Sequence, residues 1–323
     1  MAIRPMLRAL AFAVLATSCA SALAQAWPQK PVRLVVPFPP GGVTDGLARI
    51  TAEWLTGRIG QPVVAENRPG ASGAIAAEFV ARSTPDGYTL FMASATQLVV
   101  LPHVQKITWD PVKDFAPISI VGGNPFALGV NDRIPARTLG EFVDYVKARP
   151  GELSYASPGT AAIGTLTMAL FLARAGLKME AVTYKGGGPA MADVVAGHVP
   201  AYFGNLNEIL PHAKGGRIRV LAVSSELRTP QLADVPTVAE QGYPGFRTYT
   251  WNGVAAPAGT PTEIVDRLAR EIGAACKDAG FAERLTRIGV DPVCNSPAEF
   301  SQTVRQDFEL WKEAVRVAGV KPE

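Results

Sequence analysis

Val32-Arg33-Leu34-Val35-Val36-Pro37-Phe38-Pro39-Pro40-Gly41-Gly42-Val43-Thr44-Asp45 is the stretch on which the fold turns. Its apolar run, Val32 to Val36, has the length of a buried strand, and Pro37 to Gly42 closes it with residues that break regular structure. Thr44 or Asp45 can then cap a helix whose apolar Leu47, Ile50, Trp54 and Leu55 fall at helical spacing. Further on, residues 62–66 read as a second strand, 73–82 as a second helix and 88–93 as a third strand. Strand, helix, strand, helix, strand predicts a parallel sheet flanked by helices.

The pattern returns in the middle of the chain. Residues 141–147 are helical, 153–156 a strand, 165–175 an amphipathic helix, 181–184 a strand, 189–196 a helix, and 201–203 and 218–223 strands. Three helical stretches, 261–275, 279–287 and 297–318, finish the chain. Two α/β units with a helical return predict two lobes: residues 27–125 plus 250–323 as lobe 1 and 126–249 as lobe 2. The chain would cross between them near residues 124–130 and 246–252. A length of 323 residues with 48% hydrophobic and 18% charged residues suits such a fold and excludes wholesale disorder.

Residues 1–26 are set apart from the fold. Arg4 and Arg8 precede the apolar run Ala9 to Ala16, and Ala22-Leu23-Ala24-Gln25-Ala26 offers an A-x-A cleavage site, after Ala26 or else after Ala24. This is the pattern of a secretory signal peptide and places the mature protein outside the cytoplasm, in the periplasm of a double-membraned bacterium. A lipoprotein would use Cys19, but the leucine before it stands one position too early. Without Arg4 and Arg8, the 31 Lys and Arg fall to 29 against 28 acidic residues, so the charge is no argument for nucleic acid or membrane binding. Cleavage leaves Cys276 and Cys294, which in an oxidising compartment either close a loop as a disulfide or stay as two buried thiols.

Signatures of catalysis are missing. No G-x-S-x-G surrounds Ser72 or Ser157, no phosphate-loop motif exists, and Gly186-Gly187-Gly188 does not match a dinucleotide fingerprint. His103, His198 and His212 lack metal-ligand spacing, and no cofactor or metal is expected. What stands out is a set of polar, Gly-rich turns after strands: residues 39–45, 94–97, 157–160 and 185–189. Ligands of open parallel sheets bind beyond the carboxyl ends of the strands, glycine lets backbone approach them closely, and helix starts attract anions. Four such loops facing one another across two lobes would form a cleft for a small anionic or polar solute.

These loops and their flanks resemble the Bug (TctC-like) family, the extracytoplasmic solute receptors of tripartite tricarboxylate transporters. The resemblance runs over the whole mature chain. It rests on 27–31, on 37–45, on Glu66-Asn67-Arg68-Pro69-Gly70-Ala71, Pro85-Asp86-Gly87-Tyr88-Thr89-Leu90, Trp109-Asp110-Pro111-Val112-Lys113-Asp114-Phe115, Tyr155-Ala156-Ser157, Tyr184-Lys185-Gly186 and 234–242. It implies a two-lobed periplasmic binding protein fold of type II, each lobe a mostly parallel sheet flanked by helices, closing on its ligand by hinge motion. It also implies carboxylate ligands, one carboxylate being held near Gly41, Gly42 and Asp45 and clamped by the loops after Tyr155 and Tyr184. Asp45 would repel an anion if it pointed inward, so helix capping or water holding suits it better.

Two departures from the family pattern bear on the ligand. After Tyr155-Ala156-Ser157 relatives carry a Gly- and Ser-rich run ending in His-Leu; here Thr165 stands in the His position. After the third strand, relatives often show Thr-His-Ala-Ile-Asn-Pro, where this chain has Gln97-Leu98-Val99-Val100-Leu101-Pro102. Both make the cleft less polar and point to a monocarboxylate with an apolar body rather than citrate. The expected ligand-binding residues are Phe38, Gly41, Gly42, Asp45, Ser94, Thr96, Gln97, Ser157, Gly159, Thr160, Tyr184 and Gly186. The function that follows is capture of a small organic acid and its delivery to the membrane permease subunits of a transporter. The competing reading is a receptor that feeds a periplasmic sensor domain, such as that of a sensor kinase.

Overall fold

The computed structural model describes residues 27–320, so the expected signal peptide, residues 1–26, lies outside the described residues. Ten strands pair along the order β2-β1-β3-β9-β4-β7-β5-β6, with β8 and β10 both on β4. They are β1 Val32–Val36, β2 Val63–Asn67, β3 Thr89–Ser94, β4 Phe115–Asn131, β5 Ser154–Ser157, β6 Glu180–Thr183, β7 Ala201–Asn205, β8 Ile218–Val223, β9 Tyr249–Pro257 and β10 Asp291–Pro292. The 17-residue β4 is shared by two sheets. Residues up to Pro125 pair with β9, and residues from Phe126 onward pair with β7 and β8.

The outer pairs β1–β2, β1–β3, β5–β6 and β5–β7 are parallel, as the strand–helix alternation predicts. The expectation of mostly parallel sheets holds no further than that. Every pair made by β4 or β9 is antiparallel, so both sheets are mixed. The reason lies in the chain path: β4 runs out of the first sheet into the second, and β9 brings the chain back alongside it in the opposite sense.

Strand residues alternate between two cores because the sheet is covered on both faces. Val32, Leu34 and Val36 of β1 join Leu90 and Met92 of β3 in one cluster, while Val35, Phe91 and Ala93 face the other. Each such fully buried aliphatic side chain contributes about 1.5–3 kcal/mol. The C-terminal helix Pro297–Val317 starts with a Ser296/Glu299 capping box and clasps β9. Phe300 meets Trp251 edge to face at 5.2 Å, and Asp307 accepts from Trp251 Nε1 at 2.8 Å and pairs with Arg247 at 2.9 Å. Only glycine fits at 253, because a Cβ there would sit 2.6 Å from the Phe300 ring.

Two helical segments were not among the sequence expectations. Thr96–Val104 is helical where a polar turn was expected. Leu206–Lys214 is a helix that follows β7 directly, with Pro211 in its interior masking the pattern. Cys276 and Cys294 are joined as a disulfide, their Cα atoms 5.9 Å apart. Among the described residues no helix is long and apolar enough to cross a membrane.

Candidate functional site

Register brings polar residues from four strands together where the two sheets meet. Ser94 at the end of β3 lies opposite Asn252 of β9, Thr250 of β9 opposite Asn124 of β4, and Phe126 of β4 opposite Asn205 of β7. Thr250 and Asn252 are two apart on β9, as are Asn124 and Phe126 on β4, so each pair shares one face. Beyond these strand ends lie two adjoining cavities that share Thr96, Asn205 and Thr250. One, of about 150 Å³, is lined by Phe38, Val43, Thr44, Ser94, Thr96, Asn124, Asn205, Asn207, Thr250 and Asn252. The other, of about 300 Å³, is lined by Thr96, Phe126, Pro158, Ala162, Ile163, Gly164, Gly186, Tyr202, Asn205, Glu208 and Thr250.

A larger groove, of about 930 Å³, runs past Arg33 and Tyr88 at the starts of β1 and β3, and past Arg68 and Arg82 on either side of helix Ala74–Ala81. Its guanidinium groups are already paired, Arg33 and Arg68 with Glu66 and Arg82 with Glu78. It also lies away from the strand ends where an α/β sheet presents its loops to a ligand. The two smaller cavities, at strand ends from both sheets, are taken as the candidate site.

Four helices begin at this site. The lining includes Val43 and Thr44 from the start of helix Val43–Ile59, and Ala162, Ile163 and Gly164 from the start of helix Ile163–Ala175. Gly186 precedes helix Gly187–Ala196, and Asn205 precedes helix Leu206–Lys214. In all four, the N-cap residue itself (Gly42, Ala162, Gly186 and Asn205) makes no side-chain capping bond. Free N–H groups and aligned dipoles give such helix starts a positive potential. Among the described residues the lining holds no Lys or Arg, and Glu208 is its only charged residue. An anion here would be met by backbone and amide donors rather than by a guanidinium.

Of the twelve expected ligand contacts, Phe38, Ser94, Thr96 and Gly186 line the cavities. Gly41 and Gly42 are exposed at the head of helix Val43–Ile59, with Gly42 as its N-cap and Gly41 in the left-handed region at φ 91°. Gln97 is wholly buried, accepting from the Ser94 N–H and hydroxyl and donating to Ser72 O at 2.8 Å, so it braces the loop. Ser157 is also buried, its hydroxyl 2.7 Å from that of Thr165, which donates to Gly159 O. Thr160 is exposed. Tyr184 turns its hydroxyl to Asp193 at 2.6 Å, packing on helix Gly187–Ala196.

Asp45 faces inward, under the loop. Its carboxylate takes both Arg49 nitrogens at 3.0 Å, the Gly41 N–H at 3.0 Å and the Asn67 amide at 2.8 Å. Asn67 also donates to Phe38 O at 2.9 Å, so one buried carboxylate sets residues 38–41 in place. Burial alone would push the Asp45 carboxyl up, but Arg49, Gly41 and Asn67 outweigh it and hold it at about 2, against an ordinary 3.8. A depressed carboxyl stabilises the fold above its ordinary range and ceases to do so as pH falls towards the folded value. Asp45→Asn is therefore expected to lower stability by about 2 kcal/mol at pH 7 and by almost nothing below pH 2. Urea unfolding at both pH values checks this; equal losses would show that the charge is not what holds the loop.

Asn124, Asn205, Asn207, Thr250, Asn252, Tyr202 and Glu208 were not anticipated. The available signal was polar residues placed inside otherwise apolar strands, in Thr250-Trp251-Asn252 and in Gly204-Asn205-Leu206-Asn207. Among the described residues no group of three or more His, Cys, Asp or Glu could hold a metal ion.

Comparison with known proteins shows the family. The family model for the tripartite tricarboxylate transporter family receptor matches residues 47–320. BugT of Bordetella pertussis is 36% identical over 300 residues, 92% of this chain and 92% of its own length. An R. palustris protein solved with adipate is 36% identical, covers 92% of this chain and 100% of its own, and superposes with a TM-score of 0.78. MatC from Rhodopseudomonas palustris, solved with bound malate, is 30% identical over 90% of this chain and all of its own, with a TM-score of 0.72. These relatives are receptors rather than enzymes, and this chain belongs to the TctC family of tripartite tricarboxylate transporter receptors.

Proposed function

We propose that this protein captures a small organic acid between two lobes and delivers it to the membrane permease subunits of a tripartite tricarboxylate-type transporter. The observation that carries the reading is the meeting of four helix starts, none capped by its N-cap side chain, with neutral amides and hydroxyls and, among the described residues, no Lys or Arg. Such a site stabilises one carboxylate by backbone and amide donors. The Asn205 and Asn207 amide oxygens are buried there without a donor, and either amide presents its NH₂ instead on a half-turn about its last bond. The adipate and malate bound by two relatives are acids of this kind.

The ligand's body would lie against Phe126, Pro158, Ala162 and Ile163 in the larger cavity, which favours an acid with an apolar chain over citrate. Lobe 1 would comprise residues 27–125 and 250–323 and lobe 2 residues 126–249, with β4 and β9 as the crossing segments. A ligand touching both lobes binds the closed state more tightly and so draws the equilibrium towards it. Export by cleavage after Ala26 would place this capture in the periplasm.

Thermal unfolding against a panel of carboxylates, adipate and malate included, tests the reading. An acid at 100 times its dissociation constant should stabilise the protein by about 2.7 kcal/mol, several degrees for a chain of this size. Flat melts with every carboxylate would sink the proposal and redirect the search to neutral solutes.

A further inference from the structure

Glu208 is the one charge on the cavity wall, and nothing in the capture of a carboxylate calls for it. It stands in the first turn of helix Leu206–Lys214. Its carboxylate accepts from the Tyr202 hydroxyl at 2.9 Å, and the nearby backbone N–H of Asn205 favours its charged form. It also packs against the first residue of helix Gly187–Ala196, where a Cβ at Gly187 would overlap both oxygens. The carboxylate thus lies directly against the start of that helix. Among the described residues Glu208 has no ion-pair partner, and burial pushes its carboxyl up while Tyr202 and Asn205 pull only part of the way back.

The two cavities thus have different ends. The smaller offers Thr44, Asn124, Asn207 and Asn252 to an anion. The larger leads past Phe126 and Ile163 to an acid of the protein's own. Tyr202 and Asn205 leave accepting capacity on a carboxylate that has about four lone-pair sites.

We infer that Glu208 is a specificity-determining residue: it occupies the second anion position of the cleft, excludes a second ligand carboxylate, and selects an acid whose far end carries a hydrogen-bond donor such as an ammonium or amide N–H. This rests on the carboxylate-capture reading above. A donor from the ligand would supply the partner that Glu208 lacks, whereas a second carboxylate would meet a like charge in a poorly solvated space.

Three six-carbon acids test it by calorimetric titration: hexanoate, 6-aminohexanoate and adipate. The intact protein should bind 6-aminohexanoate roughly tenfold or more tighter than adipate, with hexanoate between them. Glu208→Gln should erase that gap, mainly by tightening adipate. The glutamine amide oxygen can still accept from the Tyr202 hydroxyl in a side chain of nearly the same size and shape, so the variant should fold with an unchanged circular dichroism spectrum. If adipate binds the intact protein as tightly as 6-aminohexanoate, or if Glu208→Gln leaves their ratio unchanged, the role of Glu208 is overturned while carboxylate capture stands. If none of the three binds either protein while only neutral solutes do, carboxylate capture fails and the role of Glu208 with it.

Discussion

A protein carrying both Asn205→Ala and Asn207→Ala is expected to lose affinity for its carboxylate ligand by roughly 10²- to 10⁴-fold while unfolding at nearly the same temperature. The size follows from two hydrogen bonds to a charged group, each about 1.5–3 kcal/mol, with about 1.4 kcal/mol for every factor of ten. The unchanged stability follows from the surroundings of the two amides. Among the described residues neither amide oxygen has a donor, and Asn205 makes no side-chain cap for the helix it precedes, so truncation breaks no internal bond at these atoms. Removing a buried polar group that has no partner is close to neutral for folding. Titration of the best carboxylate from the panel, run beside a thermal melt, separates the two effects. Unchanged affinity would remove these amides from the site, and a large fall in melting temperature would make them structural.

The second large effect concerns the bridge between Cys276 and Cys294. The double substitution Cys276→Ser and Cys294→Ser is expected to lower stability by about 3 kcal/mol, the chain-entropy value for so short a loop. The melting temperature should fall by several degrees. Both sulfurs are partly buried near Val121 O, so the bridge ties the end of helix Thr262–Ala275 to the segment after β10 and to β4. Neither cysteine lines the cavities, so ligand affinity should not change. Melting with and without a reductant, beside the double variant, checks the expectation; three identical curves would show that the bridge adds nothing.

These two expectations differ in how far they could be read from the chain. The cysteine pair is visible in the sequence once the export segment is set aside, yet a separation of 18 residues leaves the Cα distance open. Only the packing of helix Thr262–Ala275 beside the β10 region brings the two to 5.9 Å. The amides are legible as residues but not as a group. Asn124, Asn205 and Asn252 lie on three strands, and the antiparallel registers around β4 and β9 are what place them in one wall.

Local pattern alone determined the α/β alternation, the strand ends and the polar loops that follow them, because side-chain period and turn chemistry act over a few residues. Ordered motifs along the chain likewise determined the family. The direction of the crossing strands needed the tertiary structure, since a strand's sequence does not record which neighbour it pairs with. So did the inward turn of Asp45, the burial of Gln97 and Ser157 behind the wall, and the placement of Glu208 against Gly187. In each case a side chain near the cleft had a choice between ligand and protein partners. That choice depends on atoms brought in from distant parts of the chain, such as Asn67 for Asp45 and Ser72 for Gln97, whose approach only the packed fold decides.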